Sequence, residues 1–374
     1  MSREGTRQKK SFALVVGPHR VRPAPRGGAL HMKQDFSVQN GSALMLVLWS
    51  VALMAVLIGG FAFDSHVEGR ITYYYRNRTK ADYLAKSGIE VARMLMIKQK
   101  EVGEMGEGEE PEEDDRWHDA AKRLSQGLAV RGLVEELGDG EILLYIVPEP
   151  ARRNVNQLKE EDWERMLEVS NVPEDFWPEI IESLQDWIDT DDEPRTDGAE
   201  TEDYYTTLDS PYMAKNGPLD TVGELLLVKG FSRAILFGGP LDEIEDEEGE
   251  PWMVTGIEDL LTTYGDGKVN INAASQRVLM TLPEVDELIA GAIIEEREGA
   301  LLEEGSDEDT SFKSTSDMLA RIPDLTSEVT PFITVDSSIY RITSIGRVGG
   351  VERRIWCIAE REQGALRFLR WREE

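Results

Sequence analysis

The chain is 374 residues long, which allows one large domain or two ordinary ones with a sizeable buried core. Its 72 Asp and Glu residues outnumber 41 Lys and Arg residues and give a formal net charge of −31. Proteins bind nucleic acid through basic residues that displace counterions, so this charge balance argues against nucleic acid as a partner. The single cysteine, Cys357, excludes an internal disulfide and a thiolate zinc cluster.

The N-terminal sequence is basic and then loses all charge. Residues 1–41 contain eight Lys or Arg residues and two acidic ones, whereas residues 42–63 contain no charged residue. At a helical rise of ~1.5 Å per residue, this uncharged run forms a helix of about 33 Å, which is long enough to cross a bilayer. Basic residues before the span and an acidic body after it orient the N-terminus to the cytoplasm.

Three interpretations of this uncharged run remain open. A cleaved secretory signal is one, because Gly60 and Ala62 could form a peptidase site, although the run exceeds the usual ~7 to 15 apolar residues. A plain membrane anchor is the second. The third starts at Met32: a short polar leader that ends in glycine resembles a prepilin-type leader and implies cleavage between Gly41 and Ser42, with methylation of the new N-terminus. The sequence before Met32 would then precede the true start.

An amphipathic pattern extends the helix beyond the uncharged run. Apolar residues recur at spacings of three, four and seven, which predicts one helix from Ser42 to about Lys98. A membrane anchor followed by a separate domain helix would show the same pattern. The apolar positions of this helix are Val67, Ile71, Tyr74, Ala81, Ala85, Gly88, Ala92 and Leu95.

Residues 101–115 are acidic, rich in glycine and without an apolar period, and therefore predict a mobile loop.

Strand signals occur on both sides of a mainly helical region. One strand is predicted from Glu141, and two more from Tyr340 and Arg353, with Gly349 and Gly350 between them as a hairpin signal. The predicted fold class is α+β: a pilin-like long N-terminal helix packed on a small antiparallel sheet, with a large inserted helical domain of SAM-like or helix-hairpin-helix type. The predicted divisions are a leader at 1–41, the transmembrane part of the stalk helix at 42–63, the amphipathic helix, acidic loop and first strand at 64–150, the insert at 151–335 and the C-terminal strands at 336–374.

The insert contains two related helix-hairpin-helix patterns. Each begins with an Asn-x-Asn triplet, at Asn154 and at Asn270. The second fits a nucleic-acid-binding hairpin except at its turn, where Glu284 and Asp286 replace the glycines whose backbone amides approach phosphate. Because carboxylates repel phosphate, the sequence favours a packing unit that does not bind DNA.

An acidic segment rich in Gly, Pro and Tyr, residues 186–230, joins the two hairpin units. Its four aromatic residues predict a loop folded on itself. Its carboxylates could converge on a hard cation, and Ca²⁺ takes about six to eight oxygen ligands. The spacing is not that of an EF-hand, because Pro194 stands where that loop requires glycine. A calcium site and a solvated acidic loop both remain open. The candidate ligands are Asp189, Asp191, Asp192, Asp197 and Glu200.

Several motifs follow one another in the order of a single family. They are the prepilin-type leader, then D-W-I-D-x-D-x-x-P, G-A-E, Y-Y, P-Y and E-L-L-L-V-x-G within residues 186–230, and V-N-I-N-A-A from Val269. From Met32 onward the chain therefore resembles the type II secretion system protein K family of minor pseudopilins.

This resemblance implies an inner-membrane protein with a single membrane span and a periplasmic body. It implies a place at the tip of the pseudopilus, processing by the prepilin peptidase, and contact with minor pseudopilins I and J and with other pseudopilins. It also implies Ca²⁺ in the insert, at the positions that match the acidic motif. These are Asp189, Asp191, Asp197 and Glu200.

Leu46 is the fifth residue after the predicted cleavage point. Most mature pilins carry a glutamate there, which pairs with the N-terminal amine of the neighbouring subunit, and protein K resembles this sequence in lacking it. A subunit with nothing above it has no amine to pair with, so an apolar fifth residue favours the tip position.

Two other functions remain open at this stage. One is a minor pilin of a type IV pilus or competence system, and the other is a membrane-anchored helix-hairpin-helix protein that binds nucleic acid. The chain has no G-x-S-x-G, P-loop or H-E-x-x-H pattern, and Cys357 lies within a predicted strand as a small buried hydrophobe. An enzyme is therefore not expected, and no catalytic residue is proposed.

Overall fold

The computed structural model describes residues 40–104, 117–245, 249–299, 309–362 and 365–374. The chain divides into two compact units, one that ends at Val67 and one that begins at Glu68. The leader before Asn40, which includes Met32, lies outside the described residues, and so do residues 105–115 of the predicted mobile loop.

The elements are numbered in chain order. The helices are α1 (Asn40–Glu104), α2 (His118–Ser125), α3 (Glu160–Val169), α4 (Trp177–Ile188), α5 (Arg233–Phe237), α6 (Gln276–Met280), α7 (Glu287–Glu298) and α8 (Thr315–Arg321). The strands are β1 (Val130–Leu137), β2 (Gly140–Pro148), β3 (Arg153–Asn154), β4 (Gly239–Glu245), β5 (Pro251–Val254), β6 (Leu261–Thr262), β7 (Val269–Asn270), β8 (Ile333–Thr334), β9 (Ile339–Val348), β10 (Val351–Glu362) and β11 (Ala365–Glu373).

α1 is one continuous helix of 65 residues, somewhat longer than the helix that the sequence predicts. In the first unit, its large apolar side chains from Leu44 to Phe63 are all exposed. Among the described residues, α1 is the one helix that is long and apolar enough to cross a membrane. This agrees with the uncharged run identified in the sequence.

Five antiparallel strands form the main sheet of the second unit, in the order β1-β2-β9-β10-β11. The sequence predicts β2, β9 and β10 but misses the two edge strands. β1 contains Gly132 and shifts register between Val130 and Leu133, which breaks its alternation. β11 alternates charged with apolar residues, and its only contributions to the core are Leu366 and Phe368, both partly buried.

The C-terminal part of α1 packs closely on this sheet. Ala85, Ile89 and Leu95 are buried against apolar residues of β2, β9 and β10. A Cβ atom at Gly346 would lie 2.1 Å from the carbonyl oxygen of Ala81, and one at Gly88 would lie 2.0 Å from Ser344 Oγ. Glycine at these positions therefore lets the helix and sheet backbones approach each other.

The predicted apolar stripe of α1 is buried only where the sheet covers it. Ala81, Ala85, Ala92 and Leu95 are buried, whereas Ile71 and Tyr74, earlier in the same stripe, are exposed. The periodicity of a sequence identifies a helix face, but it does not tell which part of that face has a partner within the same chain.

The residues between β2 and β9 form a helical insert with its own hydrophobic core. Its buried apolar residues run from Val155 to Ile333, within the predicted limits of the insert. The sequence indicates few strands here, and the structure adds six short ones: β3 and β6 pair in parallel, as do β7 and β8, while β4 and β5 form an antiparallel pair. Four of the six have two residues each, too few for a period to show.

The two Asn-x-Asn triplets adopt the same local structure. Asn154 Oδ1 accepts a hydrogen bond from the amide of Asn156 at 3.0 Å, and Asn270 Oδ1 accepts one from Asn272 at 2.9 Å. Each first asparagine ends a two-residue strand. The repeat seen in the sequence is therefore also a repeat in structure.

The acidic turn of the second hairpin has a structural role. Glu284 adopts a positive φ of 60°, in the left-handed region that usually favours glycine. Asp286 is the N-cap of α7 and accepts a hydrogen bond from the amide of Ile289 at 2.8 Å. The Ile289 amide in the first turn of α7 is thus bonded to the carboxylate of Asp286.

A buried carboxylate joins the sheet to the insert. Glu149 follows β2 directly and is fully buried. Its two oxygens accept hydrogen bonds from Arg341 of β9 at 2.8 and 2.9 Å, and Oε1 accepts another from Thr262 of β6 at 2.6 Å. Arg152 lies 3.3 Å from Oε2. Burial opposes ionisation of Glu149, but the bonds and charge of Arg341 outweigh it and hold the pKa below its ordinary value.

We expect Glu149→Gln to reduce the free energy of unfolding by about 3 kcal/mol, because the amide leaves the half-buried Arg341 without its counter-charge. Urea unfolding of the chain in detergent micelles measures this change. Glu141→Gln is the matched control, since it breaks an exposed pair with Arg347 (3.3 Å) and should cost no more than about 1 kcal/mol. Equal costs for the two variants would contradict the role given to Glu149.

Candidate metal centre

Asp186, in the last turn of α4, organises the acidic loop that follows. It is fully buried, and its Oδ2 accepts hydrogen bonds from the amides of Arg195 at 3.1 Å and Ala199 at 2.9 Å. A Cβ atom at position 198 would lie 2.0 Å from the same oxygen, so Gly198 is required for this close return of the chain. The loop from Asp189 to Glu200 is therefore folded around a carboxylate of the preceding helix.

Aromatic side chains of the acidic segment pack against one another, as its aromatic content predicts. The ring of Tyr205, which is fully buried, lies 5.1 Å from that of Trp187, 5.2 Å from that of Tyr204 and 5.3 Å from that of Tyr212, measured between ring centres. Most of these contacts are edge-to-face, an arrangement that stabilises aromatic pairs. The loop is thus attached to the core of the insert.

Three of the predicted ligands converge at this loop. Carboxylate oxygens of Asp189, Asp191 and Glu200 lie within 4.8 Å of one another. Asp191 is exposed, Asp189 is half-buried, and Glu200 is 2% exposed. Asp189 Oδ1 and both carboxylate oxygens of Glu200 are buried without a hydrogen-bond partner among the described residues. Buried polar atoms normally have partners, so these three oxygens could act as ligands of a bound cation.

The electrostatics of Glu200 point the same way. Burial, together with the charges of Asp186 and Asp189, raises the pKa of Glu200 from 4.5 to about 7. A bound cation would supply the positive charge that the ionised carboxylate lacks.

Arg195 supplies part of the positive charge at one side of the cluster. Its guanidinium forms an ion pair with Asp186 and another with Asp189 Oδ2 at 2.7 Å. Asp189 Oδ1 has no hydrogen-bond partner among the described residues, and Asp189 is one of the three converging carboxylates. Arg195 therefore pairs with Asp186 and Asp189 and not with the carboxylate of Glu200.

The other two candidate ligands lie apart from this cluster. Asp197 is exposed, its amide donates to Glu182 Oε2 at 2.7 Å, and its carboxylate is not among the converging oxygens. Asp192 Oδ1 accepts a hydrogen bond from Asn216 Nδ2 at 3.1 Å. The structure thus brings together three of the four positions implied by family resemblance and leaves out Asp197.

Sequence reasoning missed two groups that build the site. Asp186 begins the acidic segment but is not among the candidate ligands, and its spacing to Gly198 is the signal in the sequence that points to it. Asn216 lies far along the chain, yet its side-chain amide also donates to the carbonyl of Asp191 at 3.2 Å, and its Oδ1 is buried without a partner among the described residues.

The donor set fits a hard cation such as Ca²⁺. Asp189, Asp191 and Glu200 would hold it through carboxylate oxygens, the ligand type that Ca²⁺ prefers. No histidine or cysteine takes part in this group, which disfavours zinc. A bound Ca²⁺ would neutralise the cluster and fix the loop against α4.

The remaining predicted positions lie on α1 and β10. Gly41 and Ser42 are in the first turn of α1, where the backbone is helical, and the side chain of Leu46 is exposed. Cys357 is buried in β10, and burial raises the pKa of its thiol to about 12. The thiol is therefore protonated at neutral pH, which agrees with its interpretation as a small buried hydrophobe.

Comparison with known proteins relates this segment to one family. A family model described as type II secretion system (T2SS), protein K matches residues 112–237, which include the carboxylate cluster. The type II secretion system protein K of Klebsiella pneumoniae is 26% identical over 215 residues, which are 53% of this chain and 60% of that protein. Its counterpart in Pseudomonas aeruginosa is 25% identical over 271 residues, which are 69% of this chain and 72% of that protein.

Residues 112–237 of the chain are similar to the type II secretion system protein K family. The matched part spans less than two thirds of the Klebsiella protein K. A chain in the crystal structure of the GspK-GspI-GspJ complex from enterotoxigenic Escherichia coli is similar in fold, with a TM-score of 0.52 over 82% of this chain and 99% of that chain. At 16% sequence identity, this likeness shows a shared fold.

We expect Ca²⁺ to raise the melting temperature of the chain and Glu200→Gln to weaken Ca²⁺ binding at least about tenfold, because the variant removes a buried charged ligand. Isothermal titration and thermal unfolding measure the two effects. Asp197→Asn is the matched control and should bind Ca²⁺ within about twofold of the unaltered chain. A larger loss for Asp197→Asn than for Glu200→Gln would favour the ligand set implied by resemblance over the one seen here.

Without Ca²⁺, we expect stability to fall as the pH rises from about 4.5 towards about 7. Over this range the folded chain keeps a proton on Glu200, whose pKa is raised to about 7, while the unfolded chain loses it near 4.5. Melting temperatures of the unaltered chain and Glu200→Gln, measured across this range in a chelator, isolate the effect as their difference. A difference that does not change with pH would contradict the raised pKa.

Proposed function

We propose that the chain is a minor pseudopilin at the tip of the type II secretion pseudopilus, where it initiates or caps assembly for protein export across the outer membrane. The observation that carries this proposal is α1. The helix is exposed and apolar over residues 43–63 and is buried against an antiparallel sheet through Ala85, Ile89 and Leu95. One helix can thus serve as a membrane anchor and as the spine of a pilin-like body.

The proposed location is the inner membrane, with a single span and the body in the periplasm. The basic residues before α1 and the acidic body after it support this orientation. The proposed partners are minor pseudopilins I and J, further pseudopilins, and the prepilin peptidase. The structurally similar protein comes from a complex named for GspK, GspI and GspJ, which supports the choice of I and J.

Two features support the tip position. Leu46 is an exposed apolar residue where other pilins place a carboxylate for a subunit above. The insert adds a second core to the pilin-like body, and such bulk would block addition of another subunit. When the helix leaves the membrane, its packing against partner helices would compensate for the lost lipid contacts.

We also propose a structural rather than catalytic role for the carboxylate cluster. Ca²⁺ bound by Asp189, Asp191 and Glu200 would hold the acidic loop against α4. The loop would then present one conformation at the exposed end of the insert.

The alternatives receive less support. Binding of nucleic acid is disfavoured by the net charge of −31 and by the acidic residues Glu284 and Asp286 in the second hairpin. A minor pilin of a type IV pilus would share α1 and the sheet, but no separate observation favours it over the protein K family.

We expect the prepilin peptidase to produce a mature N-terminus at Ser42. Mass spectrometry and N-terminal sequencing of the chain, from cells with and without the peptidase, measure this processing. Gly41→Val should block cleavage, whereas the control Gly60→Val, at the alternative secretory site, should leave it unchanged. Cleavage after Ala62, or no cleavage at all, would contradict the pseudopilin proposal.

A further inference from the structure

One face of the main sheet, opposite α1, carries a cluster of arginines around a tryptophan. In one row across the sheet, Ile358 of β10 pairs with Arg341 of β9 and Arg370 of β11. In the next row, Trp356 pairs with Thr343 and Arg372. These residues lie on the face away from Cys357, which is buried under α1. We call this group the arginine face.

The arginine face borders a cavity of about 300 Å³. The opposite wall belongs to the insert and includes Val222, Phe237, Tyr264 and one carboxylate, Glu258, whose charge acts on Arg341. A cavity between two parts of a protein that each have their own core is a common location for a ligand site. This cavity is distinct from the carboxylate cluster, which lies at the end of α4.

The guanidinium groups differ in how their charge is satisfied. Arg341 is neutralised by the buried Glu149. Arg372 Nε lies 3.1 Å from Glu374 Oε1. Arg370 has no carboxylate partner among the described residues, and its guanidinium lies 5.4 Å from the centre of the Trp356 ring.

Trp356 holds the arginines in place. The guanidinium of Arg341 lies 5.5 Å from the centre of the same ring, so cations from both neighbouring strands contact it. Such cation–π contacts reduce the freedom of long side chains before any ligand binds. An arginine that is already oriented loses less entropy when it meets a carboxylate.

The rim of the cavity already binds a carboxylate. Glu374 Oε1 accepts a hydrogen bond from Trp356 Nε1 at 3.3 Å while it pairs with Arg372. The arrangement of indole N–H and guanidinium therefore suits a carboxylate, and Arg370 offers a second cation beside it.

A free strand edge lies next to the arginine face. β11 is the last strand of the sheet, and no described strand pairs with its outer edge. An extended polypeptide can add to such an edge through backbone hydrogen bonds while alternate side chains enter neighbouring pockets. This edge favours a polypeptide over a small anion as the ligand.

We propose that this cavity binds an acidic segment of a partner polypeptide, with Arg370 and Arg372 pairing with its carboxylates and Trp356 orienting the arginines. The segment would lie along β11 and displace the side chain of Glu374 from Arg372. Recognition depends on local positive charge on an otherwise acidic protein, so binding should weaken as salt is added.

The test measures binding of a fluorescein-labelled hexaglutamate peptide to the full chain in detergent micelles by fluorescence anisotropy. A chelator is present, so that Ca²⁺ cannot bridge the peptide to the acidic loop. Arg370→Gln should weaken binding about tenfold, as expected for the loss of a charge-assisted hydrogen bond. Arg367→Gln is the matched control: it removes the same charge from the same strand, but Arg367 pairs with Glu360, away from the cavity. It should change the affinity by no more than about twofold.

A second pair of variants tests the same site in the opposite direction. Glu374→Gln frees Arg372 and should strengthen binding about threefold, whereas Glu373→Gln makes the same change in net charge but frees Lys86, which is 3.5 Å away. Both positions are exposed, so this pair remains informative if Arg370→Gln fails to fold as judged by circular dichroism.

Three outcomes would overturn the proposal. The first is no binding of the peptide at low salt. The second is an equal effect within each matched pair, which would reduce the attraction to net charge alone. The third is competition by free glutamate at the same carboxylate concentration as effectively as by the unlabelled peptide, which would identify a site for small acids.

Discussion

The ion pair between Glu149 and Arg341 is the contact on which the rest of the body depends. Glu149 directly follows β2 and Arg341 lies near the start of β9, so the pair joins the two points where the chain leaves the sheet and returns to it. Thr262 of the insert bonds to the same carboxylate. Because burying a charge is favourable only with its partners in place, the sheet and the insert are fixed together by one geometry.

Two buried carboxylates in this protein show how their surroundings decide chemistry. Glu149 is fully buried and has a lowered pKa because Arg341 and Arg152 face it. Glu200 is almost as buried, but carboxylates surround it, and its pKa is raised. The first carboxylate has its charge and hydrogen-bond partners within the chain and serves a structural role. The second belongs to the proposed cation site, and it lies in the segment that matches the protein K family model.

The sequence predicts those features that depend on local pattern. The apolar span, the Gly349–Gly350 turn with φ values of 54° and 80°, and the paired Asn-x-Asn triplets all appear in the structure. The edge strand β11 does not follow from pattern, because one face of it carries arginines that pack on a tryptophan instead of entering the core. In the acidic loop, composition identifies the segment, but only the fold around Asp186 separates Asp197 from the converging carboxylates.

The central strands β2 and β9 are neighbours in the sheet but distant in sequence, since Pro148 pairs with Tyr340. Closing a loop of that length from an unfolded chain is slow, because the entropy is lost before the contact forms. An insert that folds first, on its own core, brings the two ends of that loop close together. The topology thus favours completion of the sheet after the insert has folded.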